Sequence, residues 1–167
     1  MTEPLPANAT PARAGKFLVS AARRLRQPIH PLEPLRVLVC EDDPILALEL
    51  EAMVVECGAV TCGSAASFDQ ARDLAGLTAP DLVLVDLHLD DGRSGPRLAE
   101  IFADRGLRIV VISGDTSIDS VLARVDHVFL PKPIQPAVLQ DLIAAAVQAK
   151  RAREESAAAP SPLGKPM

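Results

Sequence analysis

Carboxylates, a hydroxyl and an ammonium group each follow a short apolar run of this sequence. In chain order they are Glu41, Asp42 and Asp43, then Asp86, then Ser113, then Lys132. Clustered carboxylates can bind a divalent cation, while a hydroxyl and an ammonium can bind the oxygens of an anion. Phosphoryl transfer depends mainly on positioning and charge neutralisation, and this set of groups provides both. The sequence therefore indicates a phosphoryl site, provided that the four segments meet.

The apolar runs themselves predict how these segments could meet. The runs are residues 36–40, 82–85, 109–112 and 128–130, with a further short strand predicted at 59–62. They are apolar throughout instead of alternating, which is typical of parallel strands covered on both faces. Helical segments separate them, with connections short enough for right-handed crossovers. We predict a three-layer, doubly wound α/β fold with a five-stranded parallel sheet over residues 35–150, whose carboxyl edge collects the reactive groups.

The helix that follows the first strand has clear start signals. Asp43 is placed to cap it and Pro44 suits its first position, so capping largely explains Asp43. The spacing of four apolar residues predicts the inner face of this helix up to Gly58. These residues are Ile45, Leu48, Ala52 and Val55.

The remaining helices are marked by similar signals. Ser67 and Gln70 form a capping-box pattern that opens the second helix, and Pro96 starts the third. A short fourth helix is predicted around residues 118–124. A long final helix is predicted over residues 135–151.

Composition and charge divide the chain into a body and two tails. Residues 1–34 are dense in proline and predict a flexible basic arm with a short amphipathic helix, and residues 151–167 predict a flexible tail. The net charge is −5, yet residues 1–30 carry five basic residues against one acidic residue, so that the remainder carries −9. The acidic body disfavours non-specific binding to nucleic acid. The basic arm is still compatible with binding to nucleic acid or to an anionic membrane surface.

The cysteines and the hydropathy indicate the compartment. Cys40, Cys57 and Cys62 are odd in number and form no C-x-x-C pair, which favours free thiols in the reducing cytoplasm over a disulfide framework. No apolar run approaches the roughly 18 residues that a membrane-spanning helix needs. We therefore expect no transmembrane segment.

Some of these groups also have a purely structural interpretation. Asp86 alone could be an ordinary turn aspartate, and Lys132 could be a solvated lysine between two turn prolines. Glu41 and Asp42 are harder to explain in this way, because two acids at the end of a buried strand raise each other's pKa unless a cation lies between them.

Four motifs, in this order, resemble the receiver domain of bacterial two-component response regulators. They are Glu41-Asp42-Asp43-Pro44, Asp86 within Leu82-Val83-Leu84-Val85-Asp86-Leu87-His88-Leu89, Val111-Ile112-Ser113-Gly114, and Phe129-Leu130-Pro131-Lys132-Pro133. The resemblance covers about residues 35–149 and implies a flavodoxin-like version of the predicted fold. It also implies that Asp86 accepts a phosphoryl group from the phosphohistidine of a sensor histidine kinase or a phosphotransfer protein.

The resemblance further implies a role for the other groups at the strand ends. Asp42 and Asp86 would bind Mg²⁺ or Mn²⁺ directly, Glu41 would act through water, and the backbone carbonyl of His88 would be a further ligand. Ser113 and Lys132 would hold phosphoryl oxygens.

Two more positions have roles that the resemblance implies. Phe129 matches the aromatic switch position of the family, although simple core packing would also explain it. Asp115 lies two residues after Ser113, where we expect it to repel or redirect the water that hydrolyses the phosphoryl group.

The predicted function is a stand-alone regulator that signals through protein contacts. We expect no enzymatic activity beyond accepting a phosphoryl group and hydrolysing that same group. About 16 residues follow the last predicted helix, too few to fold as a DNA-binding domain, so no specific DNA binding is expected. The sequence is compatible with a downstream protein target and with a homodimer.

Two other functions fit part of the pattern. A haloacid-dehalogenase-like phosphatase also uses Asp, Ser or Thr, and Lys in this order, but its nucleophile belongs on the first strand and a second aspartate would replace His88. A pseudo-receiver would bind partners without being phosphorylated, although all the expected chemical groups are retained.

Overall fold

The computed structural model describes residues 33–115, 120 and 122–158. The strands are β1 (Arg36–Cys40), β2 (Val60–Ala65), β3 (Leu82–Asp86), β4 (Arg108–Ser113) and β5 (Val128–Pro131). The helices are α1 (Pro44–Glu56), α2 (Phe68–Thr78), α3 (Gly95–Asp104) and α4 (Pro136–Ala158), with a 3₁₀ turn at Leu122–Arg124. The arm predicted over residues 1–34, with its amphipathic helix, lies outside the described residues except for its last two positions.

The strands form one parallel sheet in the order β2-β1-β3-β4-β5. Strands β1 and β3 are neighbours, with Cys40 beside Val85. On the other side of β3, Asp86 lies beside Ile112 of β4, and Ser113 in turn lies beside Pro131 of β5. The predicted doubly wound α/β fold is confirmed, and the four strand ends of the predicted site share one edge of the sheet.

Each face of the sheet has its own apolar core. Alternate residues of β1 divide between the two cores, with Val37 and Val39 on the face of α1 and α4 and Leu38 and Cys40 on the face of α2 and α3. Phe102 of α3 is fully buried in the second core. Burying a large apolar side chain contributes about 1.5–3 kcal/mol, so the two layers fix the sheet that positions the site.

Helix α1 buries the face opposite to the one predicted. Ile45, Leu48 and Val55 expose 69%, 66% and 61% of their surface, and Ala52 is also exposed. The residues that face the core are Ala47, Leu50 and Val54. The helix is apolar on nearly every side, so the spacing of apolar residues could not distinguish its two faces. We call Ile45, Leu48, Ala52 and Val55 the outer face of α1.

Helix α2 begins as predicted, but a different residue caps it. The Ser67 side chain makes no capping hydrogen bond. The Phe68 N–H instead donates to Asp91 Oδ2 at 2.8 Å, and Gln70 Oε1 accepts from the Ala66 N–H at 3.1 Å. The cap therefore comes from the loop that follows β3, a contact that sequence spacing could not reveal.

The last predicted helices also differ from the structure. Around the predicted fourth helix the structure has the 3₁₀ turn at Leu122–Arg124, while residues 116–119 and 121 lie outside the described part. Helix α4 continues to Ala158, so residues 151–158 of the predicted tail are helical. The sequence has no glycine or proline between Pro136 and Pro160 that would end this helix earlier. No helix among the described residues is long and apolar enough to cross a membrane.

Candidate functional site

Three acidic side chains converge where β1 and β3 end. Glu41, Asp42 and Asp86 each place a carboxylate oxygen within 4.8 Å of the others. Glu41 and Asp86 are buried, while Asp42 is exposed. A compact group of carboxylates with one member open to solvent is the kind of oxygen donor set that Mg²⁺ prefers, because Mg²⁺ keeps several of its waters. Three of the four residues predicted to hold the metal therefore lie together and fit such an ion.

Lys132 joins two of these carboxylates. Its Nζ lies 3.0 Å from Glu41 Oε2 and also donates to Asp86 Oδ2. The Lys132 backbone N–H donates to the Ser113 carbonyl at 2.9 Å, which holds the start of the lysine against the end of β4. The lysine side chain is thus directed into the acidic cluster, and it is not a solvated loop residue.

The environment changes the pKa of two of these groups. Desolvation raises the pKa of Glu41, with a further upward contribution from Asp86, and the Lys132 ammonium only partly offsets these effects. Desolvation works to lower the pKa of Lys132, but its hydrogen bonds to Asp86 and Glu41 outweigh it and the pKa is raised. Lys132 therefore carries a positive charge at neutral pH, where it serves as the counter-ion of the cluster.

Two hydrogen bonds that involve backbone N–H groups connect Ser113 and His88 to their neighbours at this edge of the sheet. Ser113 is buried at the end of β4, and its Oγ accepts a hydrogen bond from the Asp115 N–H at 3.1 Å. The His88 N–H donates to Asp86 Oδ1 at 3.2 Å, while the His88 side chain is exposed. The Ser113 hydroxyl hydrogen thus remains available for a further acceptor, as binding of a phosphoryl oxygen would require.

Helix α3 starts directly against the backbone of Asp86. The Gly95 N–H donates to the Leu87 carbonyl at 3.2 Å. A Cβ at Gly95 would lie only 2.1 Å from the Asp86 carbonyl oxygen, so a side chain there would force the two segments apart. Glycine at this position lets the helix approach the strand end closely.

Phe129 lies on β5, beside Val111 of β4. Its side chain is partly buried and packs against the core on the α2 and α3 face, to which Leu122 and Val125 also belong. Core packing therefore accounts for Phe129 in this conformation. Its role as a switch stays a prediction.

Sequence reasoning missed Arg93. This residue lies in the loop after β3, and its Nη1 is 2.5 Å from Asp115 Oδ2 in the loop after β4. Asp115 was singled out from the sequence, but its partner was not. A basic residue between Asp86 and the start of the third helix was the available signal, and the order of the strands was needed to interpret it.

Comparison with known proteins agrees with this geometry. A family model described as the response regulator receiver domain matches residues 37–144. The chain belongs to this family. The predicted family is therefore confirmed, and the protein is a receiver of the kind found in two-component systems. Receiver domains generally bind Mg²⁺, in agreement with the acidic cluster at the strand ends.

Two curated regulators and one solved structure illustrate the similarity. The chain is 32% identical over 112 residues to the transcriptional regulatory protein PdtaR of Mycobacterium tuberculosis, covering 67% of this chain and 55% of PdtaR. It is 31% identical over 124 residues to the phyllosphere-induced regulator PhyR of Methylorubrum extorquens, covering 71% and 46%. The crystal structure of the response regulator PhyR from Brucella abortus superimposes with a TM-score of 0.60 at 25% identity, covering 88% of this chain and 60% of that one. The chain spans about half of the length of these curated relatives.

Proposed function

We propose that this receiver accepts a phosphoryl group on Asp86 from the phosphohistidine of a sensor histidine kinase or a phosphotransfer protein. The observation that carries the proposal is the pairing of Lys132 with Glu41 and Asp86 beside Asp42. These four groups carry three negative charges and one positive charge, a formal charge of −2. A divalent cation would neutralise that excess and leave room for an anionic phosphoryl group.

The residues of the cluster would hold the ion in the way that membership of the receiver family implies. Exposed Asp42 and buried Asp86 would be direct ligands, Glu41 would contribute through water, and the His88 carbonyl would add an oxygen. Mg²⁺ or Mn²⁺ bound there would neutralise charge on the phosphoryl oxygens during transfer.

The chain's own groups perform the transfer itself. A carboxylate oxygen of Asp86 attacks phosphorus and forms the new P–O bond. The P–N bond to the donor imidazole breaks, and the leaving nitrogen keeps its electron pair. Lys132 exchanges its hydrogen bond with Asp86 for one with a phosphoryl oxygen, and the Ser113 hydroxyl donates to another.

The outer face of α1 supports a protein as the phosphodonor. Its exposed apolar residues begin at Ile45, two positions after Asp43, beside the acidic cluster. An apolar helix of the donor could cover this face while its histidine reaches Asp86. With a panel of phosphorylated histidine phosphotransfer proteins as donors, Ile45→Gln and Leu48→Gln should slow transfer but leave labelling by a small phosphodonor unchanged. Equal transfer to the variants and the parent would reject this face as the docking surface.

We further propose that the phosphorylated chain acts through contacts with a downstream protein, without other catalytic activity and without DNA binding by these residues. PdtaR and PhyR both bear the name of regulators, which supports a regulatory output. Cys40, Cys57 and Cys62 are all free thiols, which supports a reducing, cytoplasmic location.

Intact-mass measurement after incubation with acetyl phosphate, with and without Mg²⁺, tests the proposal. We expect one phosphoryl group per chain, only with Mg²⁺, and no label on Asp86→Asn. Asp90→Asn is the matched control, because Asp90 is an exposed acid in the same loop, and it should label normally. Equal labelling of Asp86→Asn and the parent would reject Asp86 as the acceptor. Multiple turnover of a phosphomonoester would favour the phosphatase alternative.

A further inference from the structure

Two adjoining cavities lie at the amino edge of the sheet, opposite the acidic cluster. The larger one, of about 570 Å³, lies between helix α4 and the starts of β4 and β5. The smaller one, of about 250 Å³, lies beside it, next to Leu35 and Asp81. Both cavities are lined by the same four residues, Gly106, Leu107, Arg108 and Arg153. The cavities therefore meet at two arginines, and the larger one has the size of a ligand pocket.

The larger cavity has mainly apolar walls. Leu107, Val128 and Leu142 are among them, and Val128 exposes 43% of its surface. Its remaining walls include Arg108, Arg153, Asp126 and His127. An apolar group that entered this cavity would remove apolar surface from water, which favours binding in proportion to the area covered.

The charges around the two cavities balance in number but are not all paired. Three basic and three acidic side chains line them, namely Arg108, Lys150 and Arg153, and Asp81, Asp126 and Glu154. Lys150 pairs with Asp81 at 2.7 Å. Within the described residues, the side chains of Arg108, Arg153 and Asp126 form no ion pair and no hydrogen bond. A ligand with one negative and one positive group matches this balance better than a simple anion or cation does.

Glu154 has a buried oxygen that lacks a donor. Its Oε1 lies 4.0 Å from Lys150 Nζ, while its Oε2 is buried and has no hydrogen-bond partner in the described part of the chain. A buried carboxylate oxygen without a donor costs free energy. The ammonium of a ligand in the smaller cavity would supply that donor.

We infer that the two cavities together bind a free amino acid with a large apolar side chain. In this arrangement Arg108 and Arg153 donate to the α-carboxylate at the junction of the cavities, a contact for which guanidinium groups are well suited. The α-ammonium faces Glu154 in the smaller cavity, and the apolar side chain occupies the larger one. The site lies at the edge of the sheet opposite to Asp86, so the inference does not depend on the proposed phosphorylation.

Calorimetric titration of the whole chain tests each part of the inference, with phenylalanine as the probe. We expect saturable, one-to-one binding. Hydrocinnamate lacks the ammonium, phenethylamine lacks the carboxylate and glycine lacks the side chain, so each should bind about tenfold more weakly or worse. The inference is overturned if phenylalanine does not bind, or if any of these three compounds binds as tightly as phenylalanine.

Variants of α4 place the ligand in the cavities. Arg153→Gln and Glu154→Gln should each weaken the binding of phenylalanine about tenfold, and neither residue belongs to the apolar cores. Glu154→Gln should not weaken the binding of hydrocinnamate, a distinction that a merely structural defect would not produce. Arg151→Gln is the matched control, because Arg151 is an exposed arginine of the same helix that lines neither cavity.

Arg151→Gln should bind phenylalanine as the parent does. Asp86→Asn should also bind it normally, so failure of this inference and failure of the proposed phosphorylation can be told apart. Equal affinity of the parent and Arg153→Gln, or an equal loss in Arg151→Gln and Arg153→Gln, would overturn the placement of the ligand.

Discussion

Two lysines bind carboxylates at opposite edges of the same sheet. At the carboxyl edge, Lys132 contacts Glu41 and Asp86, with Asp42 close by. At the amino edge, Lys150 contacts Asp81 at 2.7 Å. The first cluster has three carboxylates for one ammonium, while at the second Lys150 pairs with Asp81 and, at 4.0 Å, with Glu154. A larger excess of carboxylates over ammonium groups, more than the presence of a lysine–aspartate pair, therefore distinguishes the candidate cation site from a structural ion pair.

Hydrogen bonds to backbone groups support the ion pair at the amino edge. The Arg36 N–H donates to Asp81 Oδ2 at 2.8 Å, and Lys150 Nζ donates to the Pro34 carbonyl at 3.2 Å. Strand β1, the start of β3 and helix α4 are thereby joined. These contacts are satisfied without any added ion, so this ion pair should respond to substitution as a structural element only.

The largest effect is expected from Lys132→Met. Two buried carboxylates lose their counter-ion, which should lower the free energy of unfolding without Mg²⁺ by about 3 kcal/mol. Mg²⁺ should restore more stability to this variant than to the parent, because the ion no longer competes with the ammonium for the same oxygens. Urea unfolding with and without Mg²⁺ measures both quantities. An equal gain from Mg²⁺ in the two proteins would contradict the competition.

Lys150→Met makes the corresponding change at the other edge. We expect a loss of about 1–2 kcal/mol, because Asp81 loses its ammonium partner and keeps the hydrogen bond from the Arg36 N–H. The loss should be the same with and without Mg²⁺, and acetyl phosphate should label the variant fully. A loss that depends on Mg²⁺ would show that the two edges are not independent.

Asp42→Asn separates ion binding from folding at the carboxyl edge. Asp42 is exposed and adds to the negative charge of the cluster, so its neutralisation should leave stability without Mg²⁺ nearly unchanged. The Mg²⁺ concentration that half-saturates the stabilisation should rise about tenfold, as expected when a metal site loses a supporting group. Titration of the unfolding midpoint with Mg²⁺ measures this shift, and an unchanged midpoint curve would exclude Asp42 as a ligand.

The smallest effect is expected at Asp91, an acid on the same edge with a structural role. The Ser94 hydroxyl, together with the Phe68 N–H, holds the pKa of Asp91 below its ordinary value of 3.8. Loss of this helix cap in Asp91→Ala should cost about 1 kcal/mol at neutral pH. Because the folded-state pKa is the lower one, this contribution is present above pH 3.8 and is lost as the pH falls through the folded value.

The difference in unfolding free energy between the parent and Asp91→Ala should therefore shrink in acid. Asp91→Asn is the control, since an asparagine oxygen can still accept the Phe68 N–H. A difference that is constant from neutral to acid pH would argue against the carboxylate as the cap.

The sequence was sufficient to predict the strand ends and what they bring together. Apolar runs and the residues that follow them are local properties, and parallel pairing places Asp86 and Lys132 at one edge wherever the strands lie in the sheet. The Asp43 cap of α1 was equally local and is confirmed, since its Oδ1 accepts from the Ile45 N–H at 2.8 Å.

The errors arose where a second segment decides the outcome. Leu48 and Leu50 are equally apolar, and only the sheet determines which of them is buried. Ser67 was the nearest residue able to cap α2, but Asp91 reaches the helix from a distant loop. Arg93 likewise contacts Asp115 only because β3 and β4 are neighbours in the sheet.

Gly95 joins the strand that ends in Asp86 to helix α3 without any side chain between them. With the Asp86 carbonyl 2.1 Å from where a Cβ would be, the first turn of α3 and the end of β3 touch backbone to backbone. No rotamer change can absorb a displacement at such a contact. Any movement of the Asp86 main chain must be matched by a rigid shift at the start of α3. The position of this helix therefore depends directly on the position of the end of β3.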